Sequence, residues 1–509
     1  MMPNALLMTK VLSQFGIVLN ENISLPLNCQ LVNDSRHLKT GDVFCAVLGS
    51  ESDGRTFIPQ ALASNCALIL AECETKAEHG AVQALLTANG HSILAISFYQ
   101  LNQKLFNLAS EFYHYPQNKL HLIGITGTNG KTSISQLIAK LFDSLNQSCA
   151  IIGTNGAGRI ESLTEIENTT PGATELVAWL DKFSTENITH VAMEVSSHAL
   201  AQKRVNGQLF HIAVFSNLSR DHLDYHGTME NYAQTKYQLF SQQAGQIAII
   251  NGDDLQGKSW LHTWSSPEKV IAYGQGDDIV KYPAYAHASD VEHSQHGAQF
   301  KLTTHLGEVA IKSPLLGSFN IDNLLAAIGV LMASNIALKD IAIAVSGISP
   351  ITGRMETYHR EGFPITVVDY AHTPDGLKNA LLACRQHCHG QLWVIFGCGG
   401  NRDTGKRAIM GEIAEQLADN LVLTNDNPRN EVPESIIDDI LAGCKNTDLI
   451  TVEVNRQLAI EQTLKLAKAD DIILLAGKGH ENYIVIGNEK RPYDERAIVK
   501  QLYTSEAIL

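Results

Sequence analysis

LIGITGTNGKTS, Leu122 to Ser133, decides how the rest of the chain is read. The apolar, β-branched run HLIGIT stops at a glycine, and a helical repeat starts just past Lys131 with Ile134, Leu137, Ile138, Leu141, Phe142 and Leu145 on one face. The pattern is strand, tight loop, helix. Gly127 and Gly130 let the backbone amides turn inward, Lys131 offers a point charge, and the Thr132 hydroxyl can reach a metal at the positive helix N-terminus. Such a loop suits polyphosphate. The generic Walker pattern wants a glycine five residues before Gly130, where this chain has Ile125, so that consensus is not met.

Working outward, 509 residues suggest about three domains, each able to bury its own core. An apolar fraction of 44% with 18% charged residues describes an ordinary globular protein. Lys plus Arg at 38 against Asp plus Glu at 53 gives a net charge of −15, which argues against a nucleic-acid or anionic-membrane partner. The nine cysteines are scattered, odd in number and without CxxC spacing, so they read as reduced thiols. Cys384, His387, Cys388 and His389 could in principle hold a metal, but Cys384 and Cys388 share a helical spacing with Leu381 and more simply face a core. The N-terminal stretch carries no export signal, and the longest apolar run, near DIILLAG, is too short to span a bilayer. A cytoplasmic protein without membrane insertion is expected.

The fold class expected is α/β in three domains. Residues 1–117, with VFCAVLG, CALILAE and HSILAISF, form a small N-terminal α/β domain. Residues 118–351 alternate strands (HLIGIT, THVAMEV, HIAVFSNL, QIAIING) with helices, which predicts a central P-loop mononucleotide-binding domain with a parallel sheet. Residues 275–311, including TTHLGEVAIK, alternate weakly and read as an antiparallel edge. SGISPITGR, Ser346 to Arg354, is broken by glycine and proline and reads as a linker. A second alternating set (ITVVDYAHT, QLWVIFGCGG, NLVLTNDNPR, DIILLAGKGHE) predicts a C-terminal Rossmann-like domain over 352–509.

Ligands of parallel sheets gather at the strands' C-terminal ends, so the polar residues there are the candidates. THVAMEV is followed by Glu194, Ser196, Ser197 and His198, and the next strand by Asn217, Asp221, His222, Asp224 and His226. Neighbouring strands would bring Glu194 and His222 to the rim of Thr132, the arrangement a magnesium nucleotide wants. Any one of these residues alone would more often be solvated or cap a helix; their recurrence beside the phosphate loop is what gives them weight.

GTNGKTS at 127–133, NTTPG at 168–172, EVSSHAL at 194–200, NLSRDHLDYHG at 217–227, LLGSFNIDNLLAA at 315–327, GRME at 353–356 and DYAHTPDGL at 369–377 together resemble the Mur ligases. That superfamily makes peptide bonds in the bacterial wall precursor and includes the folate polyglutamate synthases. The resemblance covers nearly the whole chain in order and is nearest to the members that add the third residue of the peptide.

The resemblance implies ATP bound by Gly127, Thr128, Asn129, Gly130, Lys131, Thr132 and Ser133, with Lys131 on the β and γ phosphates and Thr132 on Mg2+. Glu194 and His222 match the magnesium ligands. Asn320, Asn323, Arg354 and Asp369 match positions around the nucleotide. Lys236 in ENYAQTKYQLF matches a lysine carried as a carbamate formed with CO2; from chemistry alone it reads as a solvated helix lysine. A carbamate would turn a repelling cation into an anion able to coordinate a second magnesium. For a UDP-N-acetylmuramoyl dipeptide the matching residues are Ser35, Ser50, Glu51 and Ser52 in the first domain, then Asn168, Thr169, Thr170, Ser196, Gln202 and Arg204.

In the third domain Asp426, Asn427, Pro428 and Arg429 follow NLVLT, while Arg402, Gly477 and Glu481 follow two other strands. Pro428 stiffens the turn and Arg429 offers a forked guanidinium suited to carboxylate. Asp426, Arg402, Arg429 and Glu481 could pair the distal ammonium and carboxylate of meso-diaminopimelate, whereas lysine would leave an arginine unpaired. DNPR is also the form this motif takes in diaminopimelate-adding members. The function implied is ATP-dependent amide ligation through an acyl phosphate, by a monomer whose domains close about the linker, with Lys131, Lys236, Glu194 and His222 as the catalytic set. The alternatives are a lysine-adding or folylpolyglutamate synthase-like ligase, and a nucleotide-gated P-loop switch.

Overall fold

The computed structural model describes residues 8–19, 22–26, 28–49, 52–205, 209–240, 245–264, 266 and 269–504. The chain divides into two compact units, Met1–Ser135 with Asn146–Ala248, and Gln136–Leu145 with Ile249–Leu509.

The first unit holds two sheets. One has the order Leu31–Val32, Val43–Ala46, Leu68–Cys73, Ser92–Tyr99, Val82–Leu86. Its pairings are parallel except the last. VFCAVLG, CALILAE and HSILAISF are therefore strands, as their apolar runs predict. Val82–Leu86 is an edge strand that the sequence did not announce, because Val82 and Leu86 are 50% and 71% exposed and bury no face. Leu68, Leu70, Ile96 and Phe98 pack on Leu101, Leu105, Leu108 and Phe112 of the helix Leu101–Phe112. Ala173 and Val177 from the helix Ala173–Thr185 close the same core.

The other sheet in this unit runs Ile212–Phe215, His121–Thr126, His190–Glu194, Cys149–Gly153, Gly156–Gly158. All neighbours are parallel save the final hairpin. Parallel register puts the ends of the first three strands, hence Gly127, Glu194 and Ser216, on one rim.

At the opposite rim His121, His190 and His211 meet, with ring centroids 4.7 Å apart for His121 and His211 and 5.3 Å for His121 and His190. Burial holds all three imidazoles below the usual histidine value, His190 down to about 4, and His121's neighbourhood adds to the effect. The unfolded chain then binds protons that the folded one refuses, so this stabilisation is full above the ordinary value of 6.5 and is lost as pH falls toward about 4. Urea unfolding should show stability dropping over that window, and His190→Gln should flatten the drop; equal slopes in the two proteins would count against it.

In the second unit, Tyr285–Ser294, Gly297–Thr304 and Gly307–Ser313 form an antiparallel meander, with Val270–Gly274 parallel to its first strand. TTHLGEVAIK holds a turn at His305 and Leu306 between two antiparallel strands at the end of their sheet, the antiparallel edge that its weak alternation predicts. The helix Leu338–Ser346 ends where the glycine-proline segment begins.

The last sheet has the order Glu356–Tyr358, Ile365–Asp369, Ile472–Ala476, Leu392–Phe396, Asn420–Leu423, Thr451–Val452, parallel apart from its first strand. Its four inner strands are apolar on both faces because helices cover both. Val367, Val394, Leu423 and Leu474 pack in one layer, and their chain neighbours Val368, Ile395, Val422 and Leu475 pack in the other. Cys384 is in the first layer, as its helical spacing predicts. His387 uses both ring nitrogens, Nε2 accepting from Gly317 N–H at 2.8 Å and Nδ1 on the Ser294 carbonyl at 2.5 Å. Among the described residues no group of three His, Cys, Asp or Glu is placed to hold a metal, and no helix is long and apolar enough to cross a membrane.

Candidate active site

The phosphate loop leaves the strand His121–Thr126 and enters the helix Lys131–Ser144. Gly130 has φ +87°, and a Cβ on Gly127 would lie 1.9 Å from Ser216 Oγ, so both positions require glycine. The loop is held from the neighbouring strand's end: Thr128 N–H donates to Asn217 O at 2.9 Å, Asn129 N–H to Asn217 Oδ1 at 2.9 Å, and Ser216 Oγ to Asn129 O at 2.5 Å. Lys131 Nζ folds back onto Gly127 O at 2.8 Å and Thr128 O at 2.9 Å.

Thr132 Oγ1 donates to Glu194 Oε2 at 3.0 Å. Thr154 N–H and Oγ1 donate to the same carboxylate at 3.0 and 3.2 Å. A Cβ on Gly153 would stand 2.1 Å from Glu194 Oε1, so the glycine leaves the carboxylate its place. A hydroxyl and a carboxylate in contact beside a phosphate loop are the hard oxygen donors that magnesium shares with phosphate, and they fit that ion.

Lys236, on the helix Met229–Tyr237, is 1% exposed. Its Nζ donates to Gly127 O at 2.8 Å and stands 4.5 Å from the Tyr232 ring centroid. Burial first and Lys131 second push its ammonium well below the usual lysine value, against a smaller opposing pull from Asp221. The expectation of a solvated lysine fails here because the helix turns this face onto the loop. His222 has φ +52°, lies 3.4 Å from Asp221, and its ring faces His198 at 4.9 Å and Tyr232 at 6.2 Å. Tyr232, four residues before Lys236 and 3.4 Å from Thr128 Oγ1, links these groups and was missed in the sequence, although its helical spacing could have shown it.

The residues matched to the sugar nucleotide also lie in the first unit. Ser50 and Glu51 fall outside the described residues; Ser52 is exposed and Ser35 is buried, donating to Gln60 at 2.9 Å. Thr170 Oγ1 donates to Glu194 O at 2.8 Å and accepts from Ser196 N–H at 3.0 Å, while Arg204 donates to Thr170 O at 3.1 Å. Thr169 meets Thr154 at 3.2 Å, Asn168 is exposed, and Gln202 ends the helix that Ser196 caps. Asn33 accepts from Thr174 at 2.8 Å, joining the Ser35 segment to this group.

In the second unit, Asn320 and Asn323 are buried one turn apart on the helix Ser318–Ala333 and bonded at 3.1 Å. Asp369 accepts from the N–H groups of Met355 and Ala371, each at 2.8 Å. Burial raises its carboxyl, opposed by Arg354, whose guanidinium covers the Tyr370 ring at 4.8 Å. Arg429 has φ +50° and donates to Gly400 O at 2.9 Å. Asn401 Oδ1 accepts from Asn430 N–H at 3.0 Å, tying the loop that carries the exposed Arg402 to the Asp426–Arg429 turn. Asn427 Nδ2 donates to Glu481 Oε2 at 3.0 Å, and Gly477, at φ +115°, lays its bare face on the Asp426 carboxylate.

A phosphate loop with an inward lysine and a hydroxyl–carboxylate pair defines a nucleotide-dependent enzyme of the P-loop class. Comparison narrows the class. Residues 125–331 match the Mur ligase middle domain and residues 353–479 the Mur ligase glutamate ligase domain. The UDP-N-acetylmuramoyl-L-alanyl-D-glutamate–2,6-diaminopimelate ligase of Haemophilus influenzae strain 86-028NP is 40% identical over 92% of this chain and 94% of its own. A solved structure of a ligase of that same name is 35% identical, with TM-score 0.67 over 93% of this chain and 94% of its own. The MurF ligase of Thermotoga maritima, solved with ADP, shares the fold at 18% identity and TM-score 0.59, over 88% of this chain and 94% of its own. The chain belongs to the Mur ligase family, a family of ATP-dependent ligases.

Proposed function

We propose that this protein joins meso-diaminopimelate to the D-glutamyl γ-carboxylate of UDP-N-acetylmuramoyl-L-alanyl-D-glutamate, with ATP hydrolysed to ADP, as a step in peptidoglycan precursor synthesis. The observation that carries this is the near-full-length identity to a diaminopimelate ligase. The paired carboxylates and arginine around Asp426, Arg429 and Glu481 support it. In this reading residues 1–117 bind the UDP-sugar, 118–351 bind ATP and 352–509 bind the amino acid, in a cytoplasmic monomer; nine free cysteines accord with a reducing compartment.

The γ-carboxylate oxygen attacks the γ-phosphorus of ATP and the bond to ADP breaks, because a free carboxylate is too poor an electrophile. The amine nitrogen then attacks the acyl phosphate carbon, and phosphate leaves as the amine loses a proton. Lys131 neutralises charge on the transferred phosphoryl group, and the loop amides from Gly130 to Ser133 orient it. Magnesium held by Thr132, Glu194 and His222 would supply further charge neutralisation there. Lys236, as a carbamate, would supply a second anionic oxygen ligand.

ADP release with the UDP-muramoyl dipeptide, tested against meso-diaminopimelate, its LL form and lysine separately, should respond to the meso form by about 100-fold or more over lysine in kcat/KM. A preference for lysine, or release of ADP without any amino acid, would overturn the reading.

A further inference from the structure

Resting on the reading that Asp426 and Glu481 receive the amino acid, we infer that Lys478 is the positioning residue of that site. It follows the strand Ile472–Ala476 between two glycines at positive φ, Gly477 at +115° and Gly479 at +50°, which turn it inward until it is wholly buried. Its Nζ lies 2.7 Å from Asn427 Oδ1, 3.1 Å from Asp426 Oδ1, 3.3 Å from Glu481 Oε2 and 3.0 Å from Tyr483 O.

Three consequences follow from those distances. First, the Asn427 amide has one possible orientation, since its Oδ1 accepts from both Lys478 and Val485 N–H at 2.9 Å while its Nδ2 donates to Glu481. Second, two carboxylates that would repel one another share a cation between them. Third, the charges of Asp426, Glu481 and Lys478 sum to −1, which leaves the group complementary to one ammonium. A lysine side chain arriving as substrate carries that charge, and so does the distal centre of a diamino diacid; the latter also brings a carboxylate. Lys478 therefore fixes the carboxylate oxygens that grip the ammonium, and the arginine nearby does the discriminating. A buried cation with no counterpart role in phosphate chemistry is otherwise a costly thing for a core to keep.

The test uses the full-length protein with the UDP-muramoyl dipeptide and ATP. Lys478→Met should raise KM for meso-diaminopimelate by about 30-fold while KM for ATP stays within about twofold. Lys478→Arg, which keeps the charge but replaces the compact ammonium with a longer planar fork, should still show the raised KM in protein whose folding is checked by thermal unfolding. In a double-mutant cycle, Glu481→Gln should cost far less in the Lys478→Met background than in wild type. An unchanged KM for the amino acid in an active Lys478→Arg protein, or additive effects in the cycle, would overturn the assignment of Lys478 alone. Wild-type protein that releases no ADP in response to any amino acid would overturn the reaction on which the inference stands.

Discussion

Lys131→Ala should lose about 1,000-fold or more in kcat while the protein stays folded. The lysine's Nζ rests on two neutral carbonyls, Gly127 O and Thr128 O, in a partly buried loop whose shape is set by the amides of Thr128 and Asn129 against Asn217. When the ammonium is removed Gly127 O keeps its bond from Lys236 and Thr128 O can turn to water, so the stability cost is about that of one ordinary hydrogen bond. The catalytic cost is larger because the other lysine bonded to the loop among the described residues, Lys236 on the Gly127 carbonyl, has its ammonium disfavoured by burial. Steady-state ADP release together with thermal unfolding checks both halves. Activity within about tenfold of wild type would remove Lys131 from phosphoryl transfer.

The phosphate loop was legible because its signals are local: an apolar run, two glycines and a helical repeat lie within a few turns of chain. The alternating strands were legible for the same reason, since helices covering both faces of a parallel sheet make each strand uniformly apolar. What stayed hidden depends on contacts made far along the chain. Val82–Leu86 buries no face, and in the hairpin of Tyr483–Ile486 with Glu489–Pro492 a half-buried apolar run of four residues pairs with a charged, exposed strand, so neither shows a two-residue apolar period. Lys478 reads as an ordinary charged residue at a strand end; its acceptors at Asp426 and Asn427 come from a neighbouring turn that no spacing reveals. Glu194 could be placed on the loop's rim from strand alternation, but its contacts with Thr154 and the space left by Gly153 depend on the strand Cys149–Gly153, which the alternating set of strands did not include.

Lys236→Ala should lose about 1,000-fold in activity, and a short carboxylate such as formate or acetate should restore part of it. The chemistry asks for an uncharged amine, because only the nitrogen lone pair can attack CO2; a carbon–nitrogen bond forms, a proton leaves, and the product is an anion. The surroundings of Lys236 push it in that direction. It is 1% exposed, its ammonium is disfavoured first by burial and then by Lys131, and its Nζ donates to Gly127 O at 2.8 Å and lies 4.5 Å from the Tyr232 ring centroid. A buried lysine left as a cation would repel both Lys131 and a metal ion, whereas a carbamate would attract them. The added carboxylate in Lys236→Ala replaces the missing anion without replacing the side chain, so rescue separates loss of charge from loss of packing. Lys236→Arg, permanently charged, should stay inactive with or without the additive. Intact mass of fully active wild-type protein showing an unmodified lysine, or a Lys236→Ala protein that no carboxylate revives, would leave the buried amine as a structural donor to the loop and nothing more.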